Sequence, residues 1–197
     1  MATPILPQPP EPSRLSLDEI ARLVAGQRLP PVEKWHPEHC GDSDMRIAAD
    51  GTWFHHGTPI GRPALVRLFS TILRREPDGS FVLVTPVEKL SIAVDDAPFL
   101  AVEATSEGEG EGRRIAFRLA HSDTLVIAGP DHPLRVENGA DGAPRPYLHV
   151  RGPVGRGLEA LVARPVFYDL AEWALAESGA GGPVGLWSGG QYFAFAA

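Results

Sequence analysis

Apolar residues recur along this chain in two rhythms, one helical and one alternating. Leu17, Ile20, Leu23 and Val24 fall on one face, between Ser16 and Gly26. Ser16 and Glu19 have capping-box spacing and Gly26 suits a helix end, so a first helix is predicted there. A second is predicted from Pro63, which suits a first helical position because its missing amide would be unpaired anyway. Leu65, Leu68, Phe69, Ile72 and Leu73 continue it at helical spacing until Pro77-Asp78-Gly79 stops them. A third helix is predicted at about Gly155 to Ala163 and a fourth at about Phe167 to Glu177.

The alternating rhythm predicts strands. Met45 to Ala48 and Thr52 to His55 flank Asp50-Gly51, where glycine supplies the positive φ of a tight hairpin. Phe81 to Val84 is a short apolar run, and Leu90, Ile92 and Val94 alternate with Lys89, Ser91 and Ala93. Phe99 to Ala104 and Arg113 to Leu119 enclose Glu107 to Gly112, whose repelling glutamates and loose glycines read as a solvated hairpin loop. Further strands are expected at Leu125 to Ala128, Leu134 to Val136, Tyr147 to Val150, Val184 to Ser188 and Tyr192 to Ala196. Helices and strands do not alternate strictly, which disfavours a doubly wound parallel sheet. The expectation is an α+β fold of mainly antiparallel sheets with helices. It divides into a loosely attached arm at 1–15, an α+β lobe at 16–87 and a β-rich lobe with helices at 88–197.

Composition narrows the picture. Hydrophobic residues make up 43% of the 197, enough for an ordinary core. A net charge of −7 argues against a general nucleic-acid binder, which needs a concentrated basic face. No run approaches the roughly 20 apolar residues of a membrane span. The proline-rich start lacks the charged flank and apolar stretch of a secretion signal. Cys40 is the only cysteine, so no disulfide forms within the chain; a cytoplasmic location is expected. Lys34 and Lys89 are the only lysines among many arginines, a bias that points with the abundant Ala, Gly and Pro to a bacterial genome rich in G and C.

Chemistry is harder to find. His36, His39 and Cys40 are zinc-ligand types, but His-x-x-His-Cys is not a standard zinc spacing and Pro37 works against a helix presenting both imidazoles. Cys40 lacks a demonstrable base, Ser188 lacks the full Gly-x-Ser-x-Gly elbow, and neither glycine group near the C-terminus ends as a phosphate loop does. The cationic and aromatic residues near element ends are more suggestive. Arg62 precedes the second helix, whose free amides favour an anion. Thr85, Glu88 and Lys89 lie between two strands; Tyr147, His149, Arg151 and Arg164 offer donors suited to phosphate or carboxylate.

The same stretches resemble a known bacterial family. Trp35-x-Pro37-x-x-Cys40-Gly41-x-x-Asp44, Ile47-x-x-Asp50-Gly51-Thr52-Trp53, His55-x-Gly57-x-Pro59-Ile60-x-Arg62 and Leu65-Val66-x-Leu68-Phe69-Ser70 carry the likeness. So do Leu83-Val84-Thr85-Pro86-Val87-Glu88-Lys89, Leu148-His149-Val150-Arg151 and Arg164-Pro165-Val166-Phe167-Tyr168-Asp169-Leu170. Together they resemble the family designated domain of unknown function 1285, from about Ser16 to the C-terminus. The resemblance implies two related α+β lobes with a duplicated core, the second superficially like a pleckstrin-homology domain. It also implies a ligand site between the lobes for a nucleotide-like molecule and a role in signalling, and it carries no established enzyme activity or cofactor. The expected function is therefore that of a small-molecule binding or sensor protein. Arg62, Lys89, Arg151 and Arg164 would meet the anion, Trp53 or Tyr168 would stack on a ring, and His55 or His149 would donate hydrogen bonds, with Thr85 and Glu88 beside them. The alternatives are a protein-interaction module without a small ligand and a metal-dependent hydrolase built on His36, His39 and Cys40.

Overall fold

The computed structural model describes residues 29–122, 124–139, 142–177 and 183–195, so the first predicted helix and the 1–15 arm lie outside the described residues. The first sheet contains β1 (His39–Ile47), β2 (Trp53–His55), β3 (Thr58–Pro59), β4 (Leu73–Arg75), β5 (Phe81–Val84) and β6 (Lys89–Val94). Its strands run in the order β3-β2-β1-β6-β5-β4. Two antiparallel meanders, β1 to β3 and β4 to β6, are joined by helix α1 (Pro63–Thr71) and meet along one parallel seam between β1 and β6.

The second sheet repeats this plan. It contains β7 (Phe99–Glu107), β8 (Arg114–Leu119), β9 (Leu125–Ile127), β10 (Leu134–Asn138), β11 (Pro144–Arg151) and β12 (Leu158–Val162), in the order β10-β11-β12-β7-β8-β9. Again the first strand of one meander lies parallel to the last strand of the next, here β7 beside β12. The protein is thus an α+β pair of related, mostly antiparallel lobes. Helix α2 (Arg164–Glu177) and a terminal hairpin of β13 (Gly185–Ser188) and β14 (Gln191–Ala194) complete the second lobe.

Local chemistry explains the turns. Gly51 takes φ +83° in the β1–β2 turn, and the Asp50 carboxylate accepts the Thr52 amide at 2.9 Å. His56 and Gly57 both have positive φ, the combination that a two-residue hairpin turn of twisted strands requires. Three expectations are corrected. The helix from Pro63 ends at Thr71, and Leu73–Arg75 becomes strand β4. Its buried face is Val66 and Ser70, while Leu68 is 56% exposed. The segment expected as a helix at 155–163 contains strand β12, whose alternate residues Leu158, Ala160 and Val162 are buried. Finally, β6 pairs into the first sheet, so the chain changes sheets between Val94 and Phe99 rather than at 87/88.

One apolar core runs through both lobes, from Ile47, Trp53, Leu73 and Leu83 to Phe117, Leu148, Leu158, Leu170 and Leu186. A smaller cluster of Val32, Val82 and Val84, with Trp35 against it, lies apart from it. Polar ties cross between the lobes. Asp96 accepts from Arg145 at 2.6 Å and from the Tyr147 hydroxyl at 2.8 Å, and burial first, then this bond, pushes the Tyr147 phenol up to about 12. Half-buried Arg151 donates through Nη2 to the carbonyls of Ser70 at 2.6 Å and Leu73 at 2.7 Å, where α1 gives way to β4. These carbonyls include one that a helix end leaves unpaired.

Candidate functional site

The lobes meet along a cleft of about 240 Å³. Its first wall comes from the 3-10 turn Val32–Lys34, the following His36, and the end of β4 with Glu76 and Pro77; its second is the β11–β12 loop, through Pro153 and Arg156. Arg74 is buried in the first wall and fully engaged. Its Nε bonds Glu76 at 2.7 Å, and its Nη1 reaches the Val32 and Trp35 carbonyls, each at 2.7 Å. Arg74 therefore holds the short N-terminal turn against the sheet edge. Lys89 adds a second, longer contact to Glu76 at 3.5 Å.

The other two cleft arginines are freer. Among the described residues Arg75 makes one long bond, to the Gly79 carbonyl at 3.4 Å, and sits over the Phe81 ring. Arg156 is exposed, and among the described residues no carboxylate pairs with it. Glu33, the remaining acid of the cleft, acts favourably on the charge of Arg151 behind the loop. The lining holds three cations (Arg74, Arg75 and Arg156) and two carboxylates (Glu33 and Glu76), an excess of one positive charge, with Lys89 and Arg151 behind it. On a chain of net charge −7 this is a local reversal.

The β11–β12 loop is braced from below. His149 is 3% exposed, its Nε2 lies 3.1 Å from the Gly152 carbonyl, and its ring stacks on His132. Among the described residues its buried Nδ1 has no hydrogen-bond partner, and desolvation lowers its pKa. Gly157 closes the loop where there is no room for a side chain. A Cβ there would stand 2.6 Å from His149 Cε1 and 3.0 Å from the Pro153 carbonyl, and would overlap the Arg151 carbonyl. Burial also pulls the Arg151 guanidinium down to about 10.

The ten residues expected from sequence do not converge on one opening. Trp53 is 4% exposed and stacks on Phe69 in the core, so it presents no free ring to a ligand. His55 lies exposed on β2 against His56, and Arg62 lies exposed before α1. The Thr85 hydroxyl accepts the Glu88 amide at 3.1 Å in the β5–β6 turn, and the Glu88 side chain is exposed. Lys89, His149 and Arg151 stand behind the cleft as supports. Arg164 and Tyr168 line a different cavity, at the start of α2. Sequence reasoning missed Arg75 and Arg156, although a lone arginine in Gly152-Pro153-Val154-Gly155-Arg156-Gly157 is a signal of a presented cation.

The other chemical readings find their places too. Ser188 is fully buried; its hydroxyl accepts the Ile115 amide at 2.9 Å and donates to the Ala128 carbonyl at 2.7 Å, so it braces the terminal hairpin. His39 and Cys40 lie on β1, the Cys40 thiol reaching the Glu38 carbonyl, while His36 borders the cleft. Among the described residues no three His, Cys, Asp or Glu side chains are grouped to hold a metal ion. Nor is any helix among them long and apolar enough to cross a membrane.

The comparisons follow the two lobes. Residues 30–97 match the model of the DUF1285 N-terminal domain, and residues 98–195 that of the DUF1285 C-terminal domain, both of unknown function. The chain belongs to the DUF1285 family. A DUF1285 crystal structure from Silicibacter pomeroyi DSS-3 is 46% identical over 91% of this chain and 94% of its own, with a TM-score of 0.77. A second DUF1285 structure, from Shewanella baltica OS155, is 26% identical over 66% of this chain and 91% of its own, with a TM-score of 0.49. No curated protein matches the chain.

Proposed function

We propose that this DUF1285 protein is a small-molecule binding module that holds an anionic group at the lobe junction. The observation that supports it is the positive excess of the cleft lining, with Arg156 at its edge paired to no carboxylate among the described residues. An anion there would meet Arg75 from the first lobe and Arg156 from the second, so binding would draw the two lobes together. That is the physical basis for a sensing role. The volume of about 240 Å³ is below the roughly 300–1,000 Å³ of pockets that engulf a drug-sized ligand. The cleft suits a phosphoryl group, with any nucleoside or other body outside it.

The test is calorimetry and thermal shift with phosphate, pyrophosphate and nucleoside mono- and diphosphates. A ligand at 100 times its Kd adds about 2.7 kcal/mol to stability, which for a chain this long raises Tm by about 5–10 °C. R156Q and R75Q should each weaken binding by about tenfold or more, the value of a charge-assisted hydrogen bond. Absence of any binding at millimolar ligand, or binding indifferent to both substitutions, overturns the proposal.

A further inference from the structure

A second and larger cavity, of about 640 Å³, opens where β12 runs into α2. Its volume falls within the range of pockets that enclose whole small molecules. The pairing of β12 with β7 and β11 explains its floor. Leu161 stands opposite Leu100 on one side and Tyr147 on the other, so these three share a sheet face. Their neighbours Ala160, Val162, Phe99 and Ala101 are buried in the core, whereas Leu100 and Leu161 stay partly exposed. Two leucines left half open on the face turned away from those core residues need an explanation.

The walls supply one. Phe167 and Tyr168, from the first turns of α2, bring two rings to the cavity, and Tyr168 is 61% exposed. Among the described residues, Arg145 and Arg164 are the charged ones that line it. Arg145 is already matched by Asp96 at 2.6 Å, whereas among the described residues no carboxylate pairs with Arg164. The cavity is therefore a ring-lined space of mixed polar and apolar surface, with one positive charge that no described carboxylate compensates at the head of a 14-residue helix, whose dipole has the same sign.

The geometry points to a second binding site, for a monoanionic amphiphile: an aromatic or medium-chain acyl carboxylate. Its body lies over Leu100 and Leu161 between the rings of Phe167 and Tyr168, and its carboxylate meets Arg164. The site shares no lining residue with the inter-lobe cleft, and its occupant differs in kind, with one charge and a large apolar surface. Leu100 also borders the first lobe, since a Cβ on Gly51 would stand 3.4 Å from its own. Occupancy would therefore be felt at the β1–β2 turn.

Titration calorimetry with naphthoate, octanoate and the neutral analogue naphthalenemethanol tests this. R164Q should weaken naphthoate about tenfold or more, the loss of one charge-assisted bond, and leave naphthalenemethanol unchanged. Y168A should weaken both aromatic probes. Both side chains are exposed, so the variants should melt as the parent does. R156Q, in the other cleft, should leave naphthoate affinity as it was. The proposal fails if neither carboxylate binds at millimolar concentration, if R164Q treats the charged and neutral probes alike, or if R156Q is the variant that abolishes binding.

Discussion

Replacing Arg151 by methionine tests whether one half-buried cation ties the lobes together. Methionine keeps most of the volume but removes both bonds from Nη2 to the Ser70 and Leu73 carbonyls. Charge-assisted bonds are worth about 1.5–3 kcal/mol each, so the pair contributes about 3–6 kcal/mol. Against this stands the cost of holding a guanidinium away from water. The fall of its pKa from 12.5 to about 10 corresponds to about 3 kcal/mol that the substitution relieves. The net loss should be about 0–3 kcal/mol, a drop in Tm of up to about 10 °C for a chain of this length. Urea unfolding adds a second readout, because a weakened tie should lower the m-value or split the transition as the lobes uncouple. If R151M unfolds in one step with unchanged midpoint and m-value, the clamp is not a clamp.

Three further outcomes are expected. Gly157→Ala, with a carbonyl and an imidazole where its methyl must go, should cost about 2 kcal/mol or more by denaturant titration, far above an ordinary loop glycine. His149 is held neutral by burial, its pKa below the ordinary 6.5, so the unfolded chain takes up this proton first on acidification. Stability from this group is complete above 6.5 and is lost as pH falls through that value toward the folded pKa. His149→Phe should therefore flatten the fall of Tm with pH below 6.5, whatever it does to Tm at neutrality. His55→Ala and Arg62→Ala, both exposed, should each shift stability by less than about 0.5 kcal/mol and leave phosphate binding untouched.

Strands and turns were the legible part of the fold. Asp50-Gly51 turns the chain where its residue types say it must, a short apolar run marked β5 and alternation marked β6. The misread segments share one cause. Ile72-Leu73 and the Leu158–Val162 run are short apolar stretches with both helical and alternating spacing, and periodicity alone does not separate the two. Strand pairing decided them, through β5 for one and through β7 and β11 for the other. The chemistry was less legible because the partners are distant and often backbone. Nothing around Arg151 in sequence reveals that its acceptors are carbonyls at Ser70 and Leu73, nor that Trp53 spends its ring on Phe69. Arg164 and Tyr168, expected at a site between the lobes, line the separate cavity at the start of α2 instead, and the predicted helix from Phe167 leaves Arg164 outside it.

The parallel seams set an order of events during synthesis. His39 cannot meet Lys89, nor Phe99 meet Ala160, until the whole intervening meander has left the ribosome, and such long-range pairings form slowly. Hairpins such as β4–β5 or β7–β8 can close early, but each sheet waits for its own final strand. The first lobe waits longer still, because the carbonyls at the end of α1 receive their donor only when β11 arrives. A nascent first half is thus exposed with an unfinished helix end for as long as the second takes to emerge, and a chain severed between Val94 and Phe99 would keep both seams yet lose that donor.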